Sequence, residues 1–598
     1  TVNGVWVPKD PSGLTFGTNG FYLNYASSGD LGNDVSGNNN DLTVSGVAAH
    51  DSMLDSPTFN SDSNGGNFAT YNPLSPTTNG AVFTEGNLKS SPASNWSSTT
   101  YIKTTMAIPK DKKIYFEASD AGSNGGLFSV GVAIESGVPS GTNVGGAGAV
   151  TIYDSQKYVN GSASSFMSQA SAGDIIQVAV DGATGKVWLG INNTWGGSGN
   201  PSAGSNEAGT ITNTANEDLL PVVCQNSASN LVINFGQDGT FAGAKTAQGN
   251  KDDTGYGNFY YAPPTDFLAL CSGNLTTADA VDPAQTSDAY PSKVFSAITY
   301  TGTGSEKAVA VGWQPDLTWV KERSGTNDNK LTDSVRGATK ALESNTDAAE
   351  TTDAQGVKAF TSTGFTLGTD AVYNNNTDTY ISWNWKEGAD YGLDIVAYSG
   401  SLTGTGVVNI SHSLGAIPEC IWHMSRSALG GAIRHQSLTS ANYMMTNAGS
   451  SGGGTGWGNS AQIDKSGNGN MTALGTSSTF TTNYTGILNQ NGDDAVAYVW
   501  RGIEGFSKFG GYTGNANADG TFVYTGFSPA YVIIKRRDGA ESYFAMDNKR
   551  VGYNVVERVM QLNGGNPEST TDYDALDFLS NGFKLRLSDA GFNGSEQY

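Results

Sequence analysis

Short runs of alternating apolar and polar residues, separated by turn residues, recur through the first half of the chain. Alternation puts every second side chain on one face of an extended strand, so each run predicts a half-buried β-strand. Gly182-Ala183-Thr184-Gly185 between two of the runs predicts a hairpin. The strands predicted between residues 112 and 241 are 114–117, 128–134, 175–181, 186–192, 219–223 and 231–237. Many short strands joined by turns predict a β-sandwich.

The region before these strands is rich in turn residues, and within it only 21–25 and 42–44 read as short strands. Between these two runs, residues 29–41 are dense in Gly, Asn and Asp, which predicts turns. The segments assigned to this half are a loop-rich β region packed with the sandwich (1–110), the sandwich itself (111–260), and a connector that contains a Pro-Pro pair (261–292).

The second half of the chain contains a repeat of about 100 residues. Three segments start alike at Tyr300, Tyr398 and Tyr512, each with Thr or Ser and then Gly after the Tyr. Each continues into a proline-led apolar strand and, later, a strand containing Phe. The proline-led strands are 315–323, 418–426 and 529–536; the Phe strands are 364–368, 479–481 and 582–585; closing strands follow at 379–385 and 497–500.

A repeat of this length is too long for a solenoid rung or a propeller blade, so it predicts small independent β-domains, like beads along a fibre. The predicted modules are 293–390, 391–505 (diverged, with a Gly-rich insertion) and 506–598. In the third, residues 593–598 match 375–380, so the sequence stops where its closing strand should begin. We therefore expect this module to be incomplete, and because residue 1 is not Met, we expect a longer gene product.

Composition supports a folded β-protein, with 79 Gly and 15% charged residues but 37% hydrophobic residues, enough for cores. The net charge of −23 repels the phosphates of nucleic acids and anionic lipids. We therefore expect no nucleic-acid binding, and no apolar run is long enough to predict membrane insertion. Cys224, Cys271 and Cys420 are too widely spaced for a disulfide framework or a CxxC metal site, which indicates assembly in a reducing cytoplasm.

The first half also carries a family resemblance. The motifs in order are YFE at 115–117, VGVA at 130–133, GDIIQVAVD at 173–181, GKVW at 185–188 and NFGQ at 234–237. This order resembles that of SPRY domains, bent β-sandwiches related to the concanavalin-type jelly rolls. The resemblance implies a binding module without catalytic residues, whose loops at one edge form the binding surface. The expected fold class is thus all-β and multidomain: a SPRY-like jelly-roll sandwich followed by tandem β-sandwich modules.

Over nearly its whole length the chain has a second resemblance. The segments that carry it are GVWVP at 4–8, FGTNGFYL at 16–23, LGNDVSGNNNDLT at 31–43, DSMLDSPT at 51–58, APPTDFLALC at 262–271 and the YTG-started modules. Together they resemble the tail-fibre proteins of bacteriophages that infect marine bacteria. The resemblance implies a virion protein made in the host cytoplasm, forming a homo-oligomer, commonly a trimer. It also implies contact with other virion proteins and with a bacterial surface glycan or protein.

Signatures of catalysis are scarce in the sequence. None of the four His lies in an HExxH motif or beside a GxSxG elbow, and His412 between two strands predicts a hydrogen-bonded structural role. The acid pairs Asp252-Asp253 and Asp493-Asp494 are adjacent in sequence, so their side chains point apart. Glycoside cleavage needs two carboxylates that face each other across a sugar. We therefore expect no enzymatic activity.

Two acidic groups have alternative interpretations. Asp30, Asp34 and Asp41 offer oxygen ligands of the kind that calcium prefers, but they lack EF-hand spacing, and a plain turn is the favoured interpretation. Asp333 with Arg336, and Asp547 with Arg550, recur at matching places in two modules. Because the pair recurs, an ion pair that holds a loop in place is favoured, and an anion-binding site is the alternative.

Three aromatic residues are the candidates for receptor or glycan binding, because aromatic rings stack on the faces of sugars. Trp195 lies on a loop beyond a predicted strand, and Tyr153 and Tyr158 flank a loop that we expect to face it. A buried framework role for Trp195 is the alternative.

The leading functional hypothesis is a phage virion fibre or spike protein that attaches to the host surface through the loops of the sandwich. The alternatives are a purely structural virion decoration protein on head or tail, a surface-polysaccharide depolymerase, and a bacterial extracellular adhesin.

Overall fold

The protein is described by a computed structural model. The structure describes residues 11, 13–55, 65–74, 81–91, 101–120, 128–134, 146–213, 217–225, 230–275, 291–427, 430–438, 442–445, 463–464, 474–483, 489–539, 541–569 and 573–598. The chain divides into two compact units, the first ending at Thr276 and the second beginning at Thr277. The prediction of an all-β, multidomain protein is confirmed, because the described helical elements are one four-residue α-helix, α1 (Ala371–Asn374), and short 3-10 turns.

The first unit is an antiparallel sandwich. Its strands are β1 (Val82–Thr84), β2 (Lys89–Ser91), β3 (Tyr101–Lys103), β4 (Lys113–Asp120), β5 (Phe128–Ile134), β6 (Ala149–Tyr153), β7 (Gln156–Val159), β8 (Ser162–Ser165), β9 (Ile175–Asp181), β10 (Lys186–Ile191), β11 (Thr194–Trp195), β12 (Gly209–Thr210), β13 (Leu219–Gln225) and β14 (Leu231–Asn234). One sheet has the order β1-β2-β14-β4-β9-β10-β11, with β12 beside β10, and the other has the order β3-β13-β5-β6-β7-β8.

The inner faces of the two sheets enclose one core that includes Phe116, Trp188 and Phe235. The predicted strands of the sandwich are confirmed, and the Gly182–Gly185 turn joins β9 to β10 as a hairpin. Alternation succeeded here because each strand has one face on a single apolar layer, which makes the period of two visible in the sequence.

The residues that the sequence analysis assigned to the start of a connector belong to the first unit. Phe267, Ala269, Leu270 and Cys271 are fully buried in its core, and Leu268 bridges to Ile114 of β4. The Pro-Pro pair does break strand pairing, but the apolar run after it packs back onto β4. Burial of this run stabilises the unit more than an exposed linker would.

The predicted strands at 21–25 and 42–44 are wrong, since both segments are ordered without strand pairing. The carboxylate of Asp34 organises this segment instead. Its two oxygens accept hydrogen bonds from the backbone N–H groups of Tyr22, Ser36 and Asn40 and from the Ser36 hydroxyl, at 2.8–2.9 Å. Backbone groups that a strand would pair with a neighbour are satisfied here by one side chain.

The second unit is built from two kinds of sheet. Its strands are β15 (Phe295–Thr301), β16 (Lys307–Ala310), β17 (Leu317–Glu322), β18 (Lys330–Asp333), β19 (Lys340–Glu343), β20 (Thr351–Thr352), β21 (Val357–Thr361), β22 (Gly364–Leu367), β23 (Thr379–Trp385), β24 (Leu393–Ser399), β25 (Val407–Ser411), β26 (Cys420–Ser425), β27 (Gly431–His435), β28 (Asn442–Met445), β29 (Ile463–Asp464), β30 (Thr479–Asn483), β31 (Asp494–Trp500), β32 (Phe522–Tyr524), β33 (Tyr531–Ile534), β34 (Phe544–Asp547), β35 (Met560–Gln561), β36 (Leu576–Leu579) and β37 (Gly582–Leu585).

The repeat predicted from sequence appears as a repeated topology. The large sheets are β15-β23-β17-β18-β19-β20, β24-β31-β26-β27-β28-β29 and β33-β34-β35; the small sheets are β16-β22-β21, β25-β30 and β32-β37-β36. In the first two modules the closing strand, β23 or β31, lies in the large sheet between the first strand and the proline-led strand.

The third module repeats this arrangement up to Tyr598. The ring of Tyr598 stacks on Tyr512 with centroids 5.0 Å apart, as Tyr380 stacks on Tyr300 at 5.2 Å. Thr513 pairs with Gln597 as Thr301 pairs with Thr379. The match of 593–598 to the start of a closing strand is therefore confirmed. Among the described residues, β33 pairs only with β34, whereas β17 and β26 pair on both sides.

The three modules are not independent beads, because they share one core. Trp319 of the first module lies against Trp422 of the second, with ring centroids 4.9 Å apart. Tyr531 of the third module lies 5.4 Å from Trp383 of the first. The shared core comprises Ala297, Leu317, Trp319, Leu331, Leu342, Ile381, Trp383, Leu393, Ile395, Trp422, Met424, Leu438, Met444, Val496, Tyr498, Tyr543, Ala545, Met560 and Leu562. Each large sheet turns one face to this core and the other to its own small sheet.

Buried ion pairs stabilise the contact between the first and second modules and the contact between the first and third. The predicted pair of Asp333 and Arg336 is confirmed, with Nε to Oδ2 at 2.6 Å and both side chains fully buried. Arg336 also pairs with Glu350, whose second oxygen pairs with Arg426 of the second module at 2.9 Å. Tyr498 of the second module completes the group by donating to Asp333 at 2.9 Å.

The contact between the first and third modules repeats this arrangement residue by residue. Asp547 pairs with Arg550 at 2.7 Å, confirming the second predicted pair. Glu568 pairs with Arg550 and with Arg323 of the first module, the latter at 2.8 Å. Trp383 donates to Asp547 as Tyr498 donates to Asp333. Two contacts with the same geometry place the modules around a pseudo-threefold axis.

The contact between the third and second modules closes the ring with different chemistry. Arg537, the counterpart of Arg323 and Arg426, donates to the carbonyl of Ser437. His435 stands at the position of the buried aspartates, and burial lowers its pKa to about 4, so it is neutral at pH 7. Leu438 replaces the buried arginine. A neutral His and a Leu need no counter-charge, which agrees with the lack of a carboxylate bridge at this contact among the residues that the structure describes.

Removing one bridging carboxylate should destabilise the second unit. We expect Glu350→Gln and Glu568→Gln each to lower its free energy of unfolding by about 2–4 kcal/mol, because each removes a carboxylate that two arginines share. Burial favours the neutral acid at Glu350, but the hydrogen bonds from Arg426 and Arg336 outweigh it and lower the pKa. The stabilisation is therefore present above the ordinary pKa of 4.5 and lost as pH falls through the lowered pKa.

Denaturant titration followed by tryptophan fluorescence measures this change. Glu306→Gln is the matched control, since Glu306 is 63% exposed in its pair with Lys358 and should change stability by less than about 0.5 kcal/mol. If wild type, Glu350→Gln and Glu568→Gln were equally stable, the described role of the two glutamates in joining the modules would be contradicted.

Glu117 gives the first unit a pH-dependent stability. It is fully buried and accepts hydrogen bonds from Tyr115, Asn234 and the backbone of Tyr260 and Tyr261. Burial is the larger effect and raises its pKa to about 7, against the lowering by these donors. The native state therefore binds this proton more tightly than the unfolded chain, and stability falls as pH rises from about 4.5 through 7.

We expect hydrogen exchange of the β4 and β9 amides to show up to about 3 kcal/mol less protection at pH 8 than at pH 5, after correction for intrinsic exchange. Glu117→Gln should be less stable at pH 5 but should lack this slope. The same slope in both proteins would assign it to other groups.

Candidate functional site

A two-residue hairpin turn positions Trp195. Asn192 and Asn193 both have positive φ, 47° and 62°, as a type I′ turn between β10 and β11 requires. The Asn192 amide donates to Asp174 at 2.7 Å, and the N–H of Asn193 donates to the buried Gln177. These hydrogen bonds tie the turn before Trp195 to Asp174 and to β9.

Phe166 lies beside Trp195 and was not identified from the sequence. A Cβ atom at Gly196 would come within 2.4 Å of its ring, so the ring packs directly on the backbone that follows Trp195. The ammonium of Lys157 lies 5.1 Å from the centre of the same ring and donates to the carbonyl of Ala208 at 2.6 Å. We call this group, Lys157, Phe166, Trp195 and Gly196, the Trp195 patch.

The Trp195 patch combines apolar rings with exposed polar groups. Trp195 and Phe166 are half-buried, and all four residues of the neighbouring edge strand β8 are exposed, three of them serines. Half-exposed rings bordered by hydroxyls suit a sugar, which offers an apolar face for stacking and hydroxyls for hydrogen bonds. No motif marks Phe166 in the sequence, because its role depends on the approach of β8 to the β11 turn.

Tyr153 and Tyr158 do not join this patch. They lie on β6 and β7 with ring centroids 6.4 Å apart. On these strands Val150, Ile152 and Lys157 point inward, toward the core and Phe166, so alternation places both tyrosines on the opposite face. Tyr158 is only 9% exposed, which leaves little of its ring for a ligand. The structure therefore separates Trp195 from the two tyrosines that the sequence analysis expected to face it.

The aspartates considered for calcium are engaged in turn hydrogen bonds. Asp34 holds four donors, and Asp41 accepts from the N–H of Asp34 at 2.9 Å. These donors lower the pKa of Asp34 although desolvation favours the neutral acid. Oxygens occupied by N–H and O–H donors are not available to a cation. Asp34 and Asp41 thus take part in the hydrogen bonds of a turn, which agrees with the favoured interpretation.

The other residues weighed for chemistry also have structural partners. His412 is confirmed as structural, with Nε2 3.1 Å from the Thr476 carbonyl and Nδ1 accepting from Leu414. Both oxygens of Asp252 accept hydrogen bonds, from Thr254 and Tyr256 on one side and Ala269 on the other. The three cysteines are free, and burial raises the pKa of each thiol to about 12.

Comparison with protein families gives one match. Residues 290–598, just over half of the chain, match the family described as Domain of unknown function (DUF7483). The chain belongs to this family. The DUF7483 match covers the three modules from just before β15 to the last residue, so the pseudo-threefold body is the DUF7483 part of the molecule.

Comparison with curated proteins finds no significant match to this DUF7483 protein. Similar solved structures include the PSpry domain of TRIM65, at 15% identity and a TM-score of 0.21, covering 28% of this chain and 91% of that one. A human SPRY domain is 17% identical, with a TM-score of 0.20, covering 26% and 93%. The SPRY domain of human HERC1 is 15% identical, with a TM-score of 0.21, covering 27% and 96%. The sandwich itself is established by its two sheets.

The packing of Phe166 on Gly196 can be tested by adding one methyl group. Gly196→Ala should push the Phe166 ring away and lower the stability of the first unit by about 1–2 kcal/mol, since its Cβ has no room. Gly29→Ala is the control, because nothing lies within 4 Å of a Cβ there. Denaturant titration measures both, and an unchanged midpoint for Gly196→Ala would show that Phe166 does not pack as described.

Proposed function

We propose that this chain is a structural protein of a bacteriophage virion, a fibre or spike component that attaches to the host surface through the loops of its sandwich. The observation that carries the proposal is the Trp195 patch, where the half-exposed ring of Trp195 on the β10–β11 hairpin lies beside that of Phe166 and an exposed polar edge strand. Its partners would be a bacterial surface glycan or protein, other virion proteins, and further copies of this chain, commonly three in fibres of the kind it resembles. It would act without catalysis.

Other properties of the chain agree with a function outside a cell. The net charge of −23 favours solubility and disfavours binding to nucleic acid. The described residues include no helix long and apolar enough to cross a membrane. The second unit joins its modules through shared apolar packing and buried ion pairs, which suits a rigid part that bears mechanical load.

Truncating the indole should weaken attachment. The full chain, fluorescently labelled, is tested on a panel of marine bacterial isolates and on their purified capsule and lipopolysaccharide. We expect binding to at least one strain, and about tenfold weaker binding by Trp195→Ala, because stacking on an aromatic ring contributes about 1–1.5 kcal/mol. Tyr553→Ala is the matched control, since Tyr553 is 75% exposed in the second unit and far from the patch in sequence.

Other outcomes would replace the proposal. Labelling of virions by an antibody to this chain, without binding to any strain, would favour a decoration protein. Release of reducing sugar ends from capsule would show a depolymerase. Equal binding by wild type and Trp195→Ala would remove the Trp195 patch from the attachment site.

A further inference from the structure

Three potential metal ligands converge in the first unit outside the Trp195 patch. His50 and Asp51 lie on a 3-10 turn (Ala49–Asp51), and Glu85 lies in the turn between β1 and β2. Nε2 of His50 is 3.6 Å from Oε2 of Glu85 and 4.0 Å from Oδ1 of Asp51, and the three ligand atoms lie within 4.8 Å of one another. In the described part of the chain, this is the group of His, Cys, Asp and Glu residues with such an arrangement.

The spacing of these atoms differs from that of hydrogen-bonded groups. Direct hydrogen bonds would bring nitrogen and oxygen to about 2.7–3.2 Å. Ligands bonded at about 2.0–2.2 Å to one tetrahedral ion stand about 3.4 Å apart. The separations of 3.6 and 4.0 Å from Nε2 of His50 are thus closer to those around an ion than to those of direct hydrogen bonds.

Neighbouring contacts direct the ligand atoms toward one point. The N–H of Ala48 occupies Oδ2 of Asp51 at 2.5 Å, which leaves Oδ1 for the third position. The backbone of Gly243 packs against Nδ1 of His50, where a Cβ would come within 2.7 Å, so Nε2 is the nitrogen that faces the carboxylates. The N–H of Leu88 closes the turn on the carbonyl of Glu85 and fixes where its side chain begins.

We infer that His50, Asp51 and Glu85 form a binding site for a transition-metal dication of the Zn²⁺ class. One imidazole and two carboxylates match the ligands that zinc takes from proteins, and the half-buried position leaves a fourth place for water. Calcium takes oxygen ligands, and the imidazole makes this group a poor calcium site. The ion would tie the irregular segment before β1 to the β1–β2 turn. This inference is independent of the proposed attachment function.

Titration of the EDTA-treated full chain with Zn²⁺ at pH 7.5 tests the inference. We expect calorimetry to show one zinc bound per chain and heating to show a raised midpoint for the first unit. Glu85→Gln should weaken binding at least tenfold, and His50→Ala should abolish it. Both should fold without metal, because a set of half-exposed side chains contributes little to the core; circular dichroism checks this.

Glu207→Gln is the matched control, a half-exposed carboxylate of the same unit paired with Lys186. Binding equal in all four proteins would place the zinc elsewhere and overturn the site. Absence of binding to wild type would also overturn it. Calcium binding of similar strength that survives His50→Ala would show a hard-cation site and refute the assignment.

Discussion

The second unit depends on the burial of both faces of its large sheets. β17 and β26 have no solvent side, since every residue of each is buried. Apolar residues fill most of these positions, and the polar ones must find partners without water. Lys321 is an example: its ammonium donates to the carbonyls of Asn327 and of Gly565 in the third module. Packing on the second face is what turns three similar modules into one body.

The ion pairs follow from that packing. The side chains of Arg336 and Arg550 are fully buried, and each is surrounded by an aspartate, a glutamate and a backbone carbonyl. Each glutamate also pairs with an arginine of another module, so the charges that a module could not satisfy alone are satisfied across the contact. Where His435 and Leu438 replace the charged pair, the requirement disappears, and the described contact uses side-chain donors to backbone carbonyls, Arg537 to Ser437 and Gln436 to Phe509.

The first unit is held together in a different way. Its sheets form an ordinary sandwich with one core, and Glu117 ties the chain after β14 to β4 by accepting two hydrogen bonds, from the backbone of Tyr260 and Tyr261. Residues 267–271 then pack into the core beside β4, where Leu268 bridges to Ile114. This leaves the far end of the sandwich, with the β10–β11 hairpin and the β8 edge, as the place where aromatic and polar side chains are presented together.

The sequence by itself determined the fold class, most strands of the sandwich, the three-fold repeat and the two Asp–Arg pairs. These features depend on local alternation, turn residues and spacing, which a single strand or loop expresses. It did not determine that the modules share a core. Strands such as β17 carried a sign of the shared core, because the side chains on both of its faces are apolar or have polar partners. A strand that is buried on both faces has no exposed polar face, however, so the alternation of apolar and polar residues is not visible in its sequence. The candidate site was likewise predicted only in part. Trp195 was named as a candidate because it follows a hairpin that the sequence predicts. Phe166 lies beside it because one sheet edge approaches the other. Tyr153 and Tyr158 lie away from it because of the pleat of β6 and β7. Such proximity between segments distant in sequence is decided only when the sheets pack.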